Sequence, residues 1–145
     1  MGFDPNTFDV IYDRRGPNDY PAYFKVLKPG GYFILVDIGE QDTREIKEVF
    51  GRGQGYGKWD QSSLERDRKA LGEAGFEVIY AEDFQYDEYY PSIKDLDIFL
   101  QGVPIFEDYD SEKDRAHLEE YVRRQQTEKG INLPRHRGVL VAVKR

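Results

Sequence analysis

LKPGGYFILVD, residues 27–37, is the stretch on which the fold prediction depends. Pro29 lacks a backbone N–H and the two glycines after it tolerate positive φ, so a helix that arrives here ends and the chain reverses. Residues 32–37 are then almost continuously apolar, as in strands that are covered on both faces of a parallel sheet. We therefore expect a helix, a tight turn and a central strand of an α/β sheet.

Another strand and its helix are predicted before this stretch. Residues 8–13 form a short β-rich run that follows the turn-forming Asp4-Pro5-Asn6 and ends at Gly16-Pro17. A helix begins at about Asn18, because apolar residues then recur at i, i+3, i+4 and i+7 spacing. These residues are Tyr20, Tyr23, Phe24 and Leu27.

Two further helices are predicted from capping boxes after the central strand. Asp42 stands three residues before Glu45, and Ser62 stands three residues before Glu65. At this spacing the two side chains cap the first amides of a helix reciprocally. Gly75 is expected to end the second of these helices in a left-handed conformation.

The remaining pattern indicates a strand, two helices and a last strand. We expect a strand over residues 76–84, a short helix from Ser92, a longer helix from Ser111 to about Glu128, and a closing strand over residues 138–144. The order β-α-β-α-α-β-α-α-β predicts an α/β fold in which helices flank a sheet.

Composition limits the classes of function. The 145 residues carry a formal charge of −7 and no cysteine. The negative charge disfavours extended nucleic-acid binding, and the lack of cysteine excludes disulfides and thiolate metal sites. The longest apolar run, residues 33–36, is too short to cross a bilayer, and no secretory leader opens the chain. We expect a single domain over residues 1–145 in the cytoplasm, with no membrane association.

Two segments carry a family likeness. Residues 6–11, Asn-Thr-Phe-Asp-Val-Ile, are followed by the Leu-Lys-Pro-Gly-Gly run described above, and residues 71–78 read Leu-Gly-Glu-Ala-Gly-Phe-Glu-Val. These segments resemble the "SFD-V", "LKPGG" and "L-x-x-AGF-V" motifs of class I S-adenosylmethionine-dependent methyltransferases. The resemblance implies methyl transfer from S-adenosylmethionine as the family reaction and S-adenosylmethionine as the family cofactor.

The same resemblance implies a partial Rossmann-like sheet. The matching motifs belong to the C-terminal half of the family fold, strands 4 to 7, in the order 4-5-7-6 with the last strand antiparallel. Residues 85–137 are then an extended helical insertion between the last two strands. The family's cofactor-binding glycine loop, which lies in the N-terminal half, has no counterpart in this chain. We therefore expect a truncated methyltransferase-like protein that is inactive alone.

A glycine-rich segment stands elsewhere in the chain. Gly51, Gly53, Gly55 and Gly57 alternate with other residues, but a cofactor loop of this type needs a strand before it and a helix after it. Here the preceding residues 45–50 are predicted to be helical. We interpret the segment as a connecting loop and assign no cofactor-binding residue. In a complete enzyme Arg52, Tyr56 and Trp59 are candidate substrate-binding residues of a lid.

The loop after the first strand supplies the other substrate-binding candidates, Asp13, Arg14 and Arg15. Methyltransferases that act on a base or amide nitrogen carry an Asn/Asp-Pro-Pro-aromatic motif at this place, and the sequence departs from it. Asp13 is a candidate base or orienting group, and either arginine is a candidate for binding an anion. The competing interpretation is a solvated strand end.

No metal site is predicted. Asp108, Asp110, Glu112, Asp114 and Glu119 have the spacing of a calcium loop, but Lys113 stands where that loop needs its turn-forming glycine. The alternative is an acidic helix N-terminus after Ser111. His117 and His136 lack the spacing of a metal-binding pair.

Two other interpretations stay open. The chain is alternatively a non-catalytic binding or assembly module, because without strands 1 to 3 the strand Phe8–Asp13 becomes an apolar sheet edge. We expect this edge to pair with its copy in a homodimer, or with a chain that carries the missing N-terminal half. The third interpretation is a piece of a longer enzyme or a mis-started reading frame.

Overall fold

The computed structural model describes residues 2–145, which form five strands and five helices. The strands are Phe8–Arg14 (β1), Leu27–Ile38 (β2), Glu77–Tyr90 (β3), Gln126–Thr127 (β4) and Gly130–Val143 (β5). The helices are Tyr20–Val26 (α1), Arg44–Phe50 (α2), Ser63–Glu73 (α3), Ile93–Gly102 (α4) and Arg115–Gln125 (α5). None of the helices in this described part of the chain has both the length and the apolar character that a membrane crossing requires.

The strands join in one mixed sheet with the order β1-β2-β5-β3, and the short β4 pairs with β5. β1 runs parallel to β2, with Ile11 opposite Phe33 and Arg14 opposite Val36. β5 runs antiparallel to β2, with Leu140 opposite Leu35. The predicted α/β sheet with an antiparallel last strand is therefore confirmed.

The folded chain divides into two compact units. The first contains residues up to Gly39 together with Ser62–Phe84 and Arg137–Arg145, and the second contains Glu40–Gln61 and Gln85–His136. Most of the second unit coincides with the insertion expected over residues 85–137. The expectation of one domain that carries this insertion stays a prediction.

Aromatic rings form much of the core of the first unit. Tyr20 and Tyr23 of α1 lie 5.9 and 5.1 Å from the ring of Phe33 on β2, and Phe76 lies 5.6 Å from the same ring. Phe33 is fully buried. Because burial of one such ring stabilises a fold by about 1.5–3 kcal/mol, this contact between α1 and β2 is a major source of stability in the unit.

A second core lies among α2, α4, α5 and the first half of β5. Its fully buried side chains are Ile46, Leu96, Leu100, Leu118, Tyr121, Ile131 and Leu133. Phe50 stacks on Phe106 with ring centroids 4.3 Å apart. Each unit therefore has its own apolar core.

The helix starts predicted at Ser62 and Ser92 are confirmed, whereas the cap predicted at Asp42 is wrong. Ser62 and Ser92 cap α3 and α4, and each side chain accepts a hydrogen bond from the amide three residues later. By contrast α2 begins after Thr43, which has a φ of 53° and no side-chain capping bond. The carboxylate of Asp42 instead accepts bonds from Arg135 and from the amide of His136. A long-range ion pair has replaced the predicted local cap.

Several element ends also differ from the sequence prediction. β5 begins at Gly130, eight residues earlier than expected, because Gln126–Thr127 pairs with its first residues as a hairpin. β3 extends to Tyr90. α5 begins at Arg115 and not near Ser111, because the carboxylate of Asp110 accepts the amides of Glu112 and Lys113 in a turn. Such side-chain bonds to nearby amides compete with helix formation.

Candidate functional site

The carboxyl ends of β1 and β2 form the candidate site of the first unit. The two strands are parallel and Arg14 lies opposite Val36, so the residues that follow lie along one edge of the sheet. Open α/β sheets bind ligands at the carboxyl ends of their parallel strands. In this chain that edge carries Asp13 at the end of β1 and Asp37 at the end of β2.

Asp13 is buried, with only 6% of its surface exposed. Its Oδ1 accepts the amide of Gly16 at 2.8 Å, while its Oδ2 is buried and has no hydrogen-bond partner among residues 2–145. A Cβ at Gly16 would lie 2.2 Å from Asp13 Oδ1, so a larger residue there would displace this carboxylate. Burial and then the negative charge of Asp13 raise the pKa of the Tyr23 hydroxyl. The turn therefore holds a carboxylate with unused hydrogen-bonding capacity.

Arg14 and Arg15 are both exposed beside this turn. Arg15 has a φ of 63°, an uncommon conformation for a residue with a side chain. Within the described residues neither guanidinium forms an ion pair, so both positive charges face solvent. Their exposure at the carboxyl edge is compatible with the predicted role in binding an anion.

Asp37 and Asp67 add a pair of acidic side chains that the sequence analysis missed. The Tyr20 hydroxyl donates to Asp67 Oδ1 at 3.1 Å, and Arg66 Nη2 donates to Asp37 Oδ2 at 3.2 Å. Burial, followed by the neighbouring Asp37 carboxylate, raises the pKa of Asp67 to about 7. A carboxyl group with such a pKa is a candidate for proton exchange near neutral pH.

A signal for both residues was present in the sequence. Asp37 ends the predicted central strand, where a parallel sheet collects its functional groups. Asp67 lies three residues after Leu64 and four before Leu71, and both leucines belong to the apolar face of α3. A charged residue on that face indicates a buried partner, but the identity of the partner is not encoded locally.

The glycine segment of the second unit is a loop fixed by its own contacts. Gly51 ends α2 with a φ of 71°. The guanidinium of Arg52 donates to Asp108 at 3.1 Å and to Asp114 at 2.8 Å, and it also lies 5.3 Å from the Phe106 ring. The segment and residues 104–108 line a groove of about 630 Å³. Arg52, whose side chain is 32% exposed, is therefore held by two carboxylates beside this groove, and its predicted role in substrate binding stays a prediction.

The loop does not fit the cofactor that the family resemblance implies. A helix, α2, leads into it, whereas the cofactor loop follows a strand. The amide of Gln54 donates to Ile105 O, that of Tyr56 to Gly53 O, and that of Lys58 to Gly55 O. Because these amides already have acceptors, they are not directed at a ligand. The interpretation of the segment as a connecting loop agrees with this geometry.

Tyr56 and Trp59 lie together in the second unit. Their rings meet edge to face at 5.1 Å, and the guanidinium of Arg44 lies 4.6 Å above the Trp59 ring. Tyr56 is 46% exposed. The six predicted substrate-binding residues thus fall into two sets, residues 13–15 in the first unit and residues 52, 56 and 59 in the second.

The acidic run after residue 107 has structural partners. Asp108 and Asp114 bind Arg52, and the backbone amides of Lys113 and Glu112 lower the pKa of Asp110. Each of these carboxylates therefore already stabilises a turn or an ion pair, as expected for an acidic segment before a helix.

No family model matches the chain. A sterol 24-C-methyltransferase of Yarrowia lipolytica is 30% identical over 109 residues, which are 63% of this chain and 29% of the relative. A phosphoethanolamine N-methyltransferase of Zea mays is 30% identical over 124 residues, which are 74% of this chain and 24% of the relative. The chain thus spans about a quarter of the length of these relatives.

A solved structure has the same fold. A candidate methyltransferase of Bacillus halodurans C-125 matches with a TM-score of 0.60 and 19% identity, over 99% of this chain and 67% of that one. The match extends over both compact units of the sequence. At this level of identity it establishes the architecture alone.

Proposed function

We propose that the chain is, over part of its length, a class I S-adenosylmethionine-dependent methyltransferase-like polypeptide, and that it supplies the acceptor-binding side of a methyl-transfer site; the similar methyltransferases and the shared fold support this proposal. The observation that carries this proposal is the carboxyl edge of β1 and β2, where Asp13 keeps one buried oxygen without a hydrogen-bond partner in the described chain. Methyl transfer depends mainly on the position of the acceptor, so an edge that orients a substrate is its main requirement.

The acceptor proposed for this edge is a small amine that also carries an anionic group. Arg14 and Arg15 offer two exposed positive charges for the anion, and the Asp13 carboxylate below the turn attracts an ammonium group. The Zea mays relative is named for phosphoethanolamine, which combines these two groups. The Yarrowia relative is named for a sterol, whose apolar body this charged edge does not match.

The residues of this chain do not provide the cofactor pocket in this proposal. S-adenosylmethionine is the family cofactor, but the amides of Gln54, Tyr56 and Lys58 in the glycine segment already donate to backbone carbonyls of the protein. We therefore expect the 145-residue chain to show no methyl transfer alone. A cofactor pocket then has to come from residues outside this chain.

Two titrations test these statements separately. Isothermal titration with S-adenosylmethionine and S-adenosylhomocysteine is expected to give no heat with the isolated chain. Heat with one-site stoichiometry would show that the chain binds the cofactor, and the statement about the missing pocket would be wrong. This outcome would not affect the proposal about the acceptor, which a separate experiment tests.

The acceptor is tested by NMR titration of the chain with phosphoethanolamine. Backbone amide shifts are expected to change at residues 13–16 and 37–38, and the change is lost in the double variant Arg14→Gln, Arg15→Gln. Ethanolamine and inorganic phosphate, which each lack one of the two groups, are expected to bind more weakly. Equal shift changes in the double variant, or none in the native chain, would contradict the proposal.

The exposed edge of β1 supports a second candidate function, assembly. Val10 and Tyr12 are 53% and 59% exposed, and in the described chain β1 is paired on one side alone. Unpaired strand edges of this kind recruit further strands. We propose that β1 pairs with its copy in a homodimer, and that a chain carrying the N-terminal half of the fold occupies the same edge instead when present.

Sedimentation velocity tests the homodimer. Val10→Lys places a charge on the edge and is expected to produce a monomer. Ile98→Lys is the matched control, because Ile98 is 56% exposed and belongs to α4, not to β1. A native chain that sediments as a monomer at micromolar concentration would exclude this assembly.

A further inference from the structure

The Asp37 and Asp67 carboxyl groups share one guanidinium. Arg66 Nη2 lies 3.2 Å from Asp37 Oδ2, and Arg66 Nε lies 3.6 Å from Asp67 Oδ1. Asp67 is 2% exposed, and its Oδ2 is buried without a donor in the described residues. Two carboxyl groups thus lie beside the Arg66 guanidinium, and one of them, Asp67, has little access to water.

The surrounding groups favour one negative charge at this place and not two. From β2, Asp37 also accepts at Oδ1 a hydrogen bond of 2.8 Å from the amide of Ile38. From α1, the Tyr20 hydroxyl donates to Asp67, and from α3, Arg66 supplies a cation that contacts both carboxyl groups. A second carboxylate, buried and close to the first, is disfavoured by desolvation and by repulsion between like charges.

We propose that Asp37 and Asp67 hold one proton between them, and that this proton fastens α3 to the carboxyl end of β2. Asp67 is the protonated partner because it is the more deeply buried of the two. Its carboxyl proton is donated to Asp37, whose charge is also stabilised by Arg66. The buried Oδ2 of Asp67 is the oxygen that carries the proton.

The position of the pair in the chain gives the proton a structural role. The chain leaves the first unit after Gly39 and returns to it at Ser62. Asp37 lies just before the first of these points, and Asp67 lies in the first turns after the second. The shared proton therefore holds the exit and return points of the unit together, and its loss places two adjacent negative charges there.

The direction of the pH effect follows from the raised pKa of Asp67. In the unfolded chain the pKa of an aspartate is near 3.8, and in the folded chain burial and Asp37 raise the pKa of Asp67 to about 7. Between these values the folded state binds the proton that the unfolded state has lost. This contribution to stability is complete below pH 4 and is lost as the pH rises to about 7.

The test compares urea unfolding of the native chain and of Asp67→Asn from pH 4 to pH 8. The asparagine amide donates to Asp37 permanently, and its carbonyl accepts from Tyr20, so the variant keeps the geometry without a titrating group. Relative to the variant, the unfolding constant of the native chain is expected to rise about tenfold per pH unit up to pH 7. Glu73→Gln on the exposed end of α3 is the control and is expected to follow the native profile.

A second measurement does not depend on the variant. Carbon-13 NMR of the aspartate carboxyl carbons is expected to show one group that titrates near neutral pH in the native chain. An Asp67 that titrates near pH 4 would overturn the proposal. So would a difference between native chain and Asp67→Asn that stays constant over the whole pH range.

Discussion

Arg135 and Asp42 are joined by a bond of 2.9 Å from Nε to Oδ1, although their side chains are only 6% and 4% exposed. Arg135 also donates to Glu88 at 2.6 Å, and Asp42 accepts the amide of His136. Each of the two charges is thus bonded to the other and to a further group of the second unit. The cost of burying them is offset while both partners are present.

Removal of one partner of this buried pair is expected to destabilise the protein strongly. Asp42→Ala leaves the Arg135 guanidinium buried with its remaining partner Glu88, and the free energy of unfolding is expected to fall by about 3–5 kcal/mol. Urea denaturation followed by circular dichroism measures the change. Arg115→Gln, which breaks the exposed pair with Glu119, is the control and is expected to cost about 0.3–0.5 kcal/mol. Equal effects of the two variants would contradict this ranking.

Replacement of one glycine of the second unit is predicted to destabilise the protein. Gly53 has a φ of 132°, and a Cβ there would lie 2.7 Å from Lys47 Cγ and 3.1 Å from the Phe106 ring. Gly53→Ala is expected to destabilise the chain by about 1–3 kcal/mol, because it combines backbone strain with a clash. Thermal unfolding of Gly72→Ala supplies the comparison. This glycine is inside α3 with free space around it, so its replacement is expected to stabilise by about 0.5–1 kcal/mol.

The two serines that sequence analysis treats alike are predicted to differ. Ser62 caps α3 through a bond of 3.1 Å to the Glu65 amide, so Ser62→Ala is expected to cost about 1 kcal/mol. Ser111 caps no helix, since α5 begins at Arg115. Ser111→Ala is expected to change stability by less than about 0.5 kcal/mol. A larger loss of stability in Ser111→Ala would indicate that α5 begins at Ser111, as the sequence predicts.

Lys144 is predicted to stabilise the first unit more than an ordinary surface lysine does. Its Nζ donates to the carbonyls of Phe24 and Leu27 at 2.7 and 2.9 Å and to the side chain of Asn6. Lys144→Met removes these bonds, and the free energy of unfolding is expected to fall by about 1.5–3 kcal/mol. Chemical denaturation of Lys144→Met is compared with that of Lys69→Met. Because Lys69 is 80% exposed on α3, this control measures the effect of losing a surface charge alone.

The backbone pattern was predictable because its causes are local. Pro29 and the glycines after it determine the turn before β2, and the side chains of Ser62 and Ser92 reach amides only three residues away. The family motifs lie in the same local elements. From such features the strand–helix alternation and the sheet type follow directly.

The chemistry of the candidate site was less predictable because its partners are distant in sequence. In the sequence, Asp42 has the spacing of a helix-capping residue, yet in the structure its carboxylate binds Arg135, which is 93 residues away. Arg52 has the appearance of a free surface charge until residues 108 and 114 fold against it. Asp67 similarly gains its raised pKa from Asp37 and from burial. No local pattern specifies such pairs.

The position of β5 in the sheet determines when the sheet can form during synthesis of the protein. β5 lies between β2 and β3, yet the ribosome synthesises it after every other strand of the chain. Until β5 emerges, β2 has one open edge and β3 has no neighbouring strand in the sheet. Long-range pairing of this kind slows folding and exposes strand edges to other chains. Completion of the sheet β1-β2-β5-β3 therefore waits for β5, and the chain is most prone to aggregate before β5 has been made.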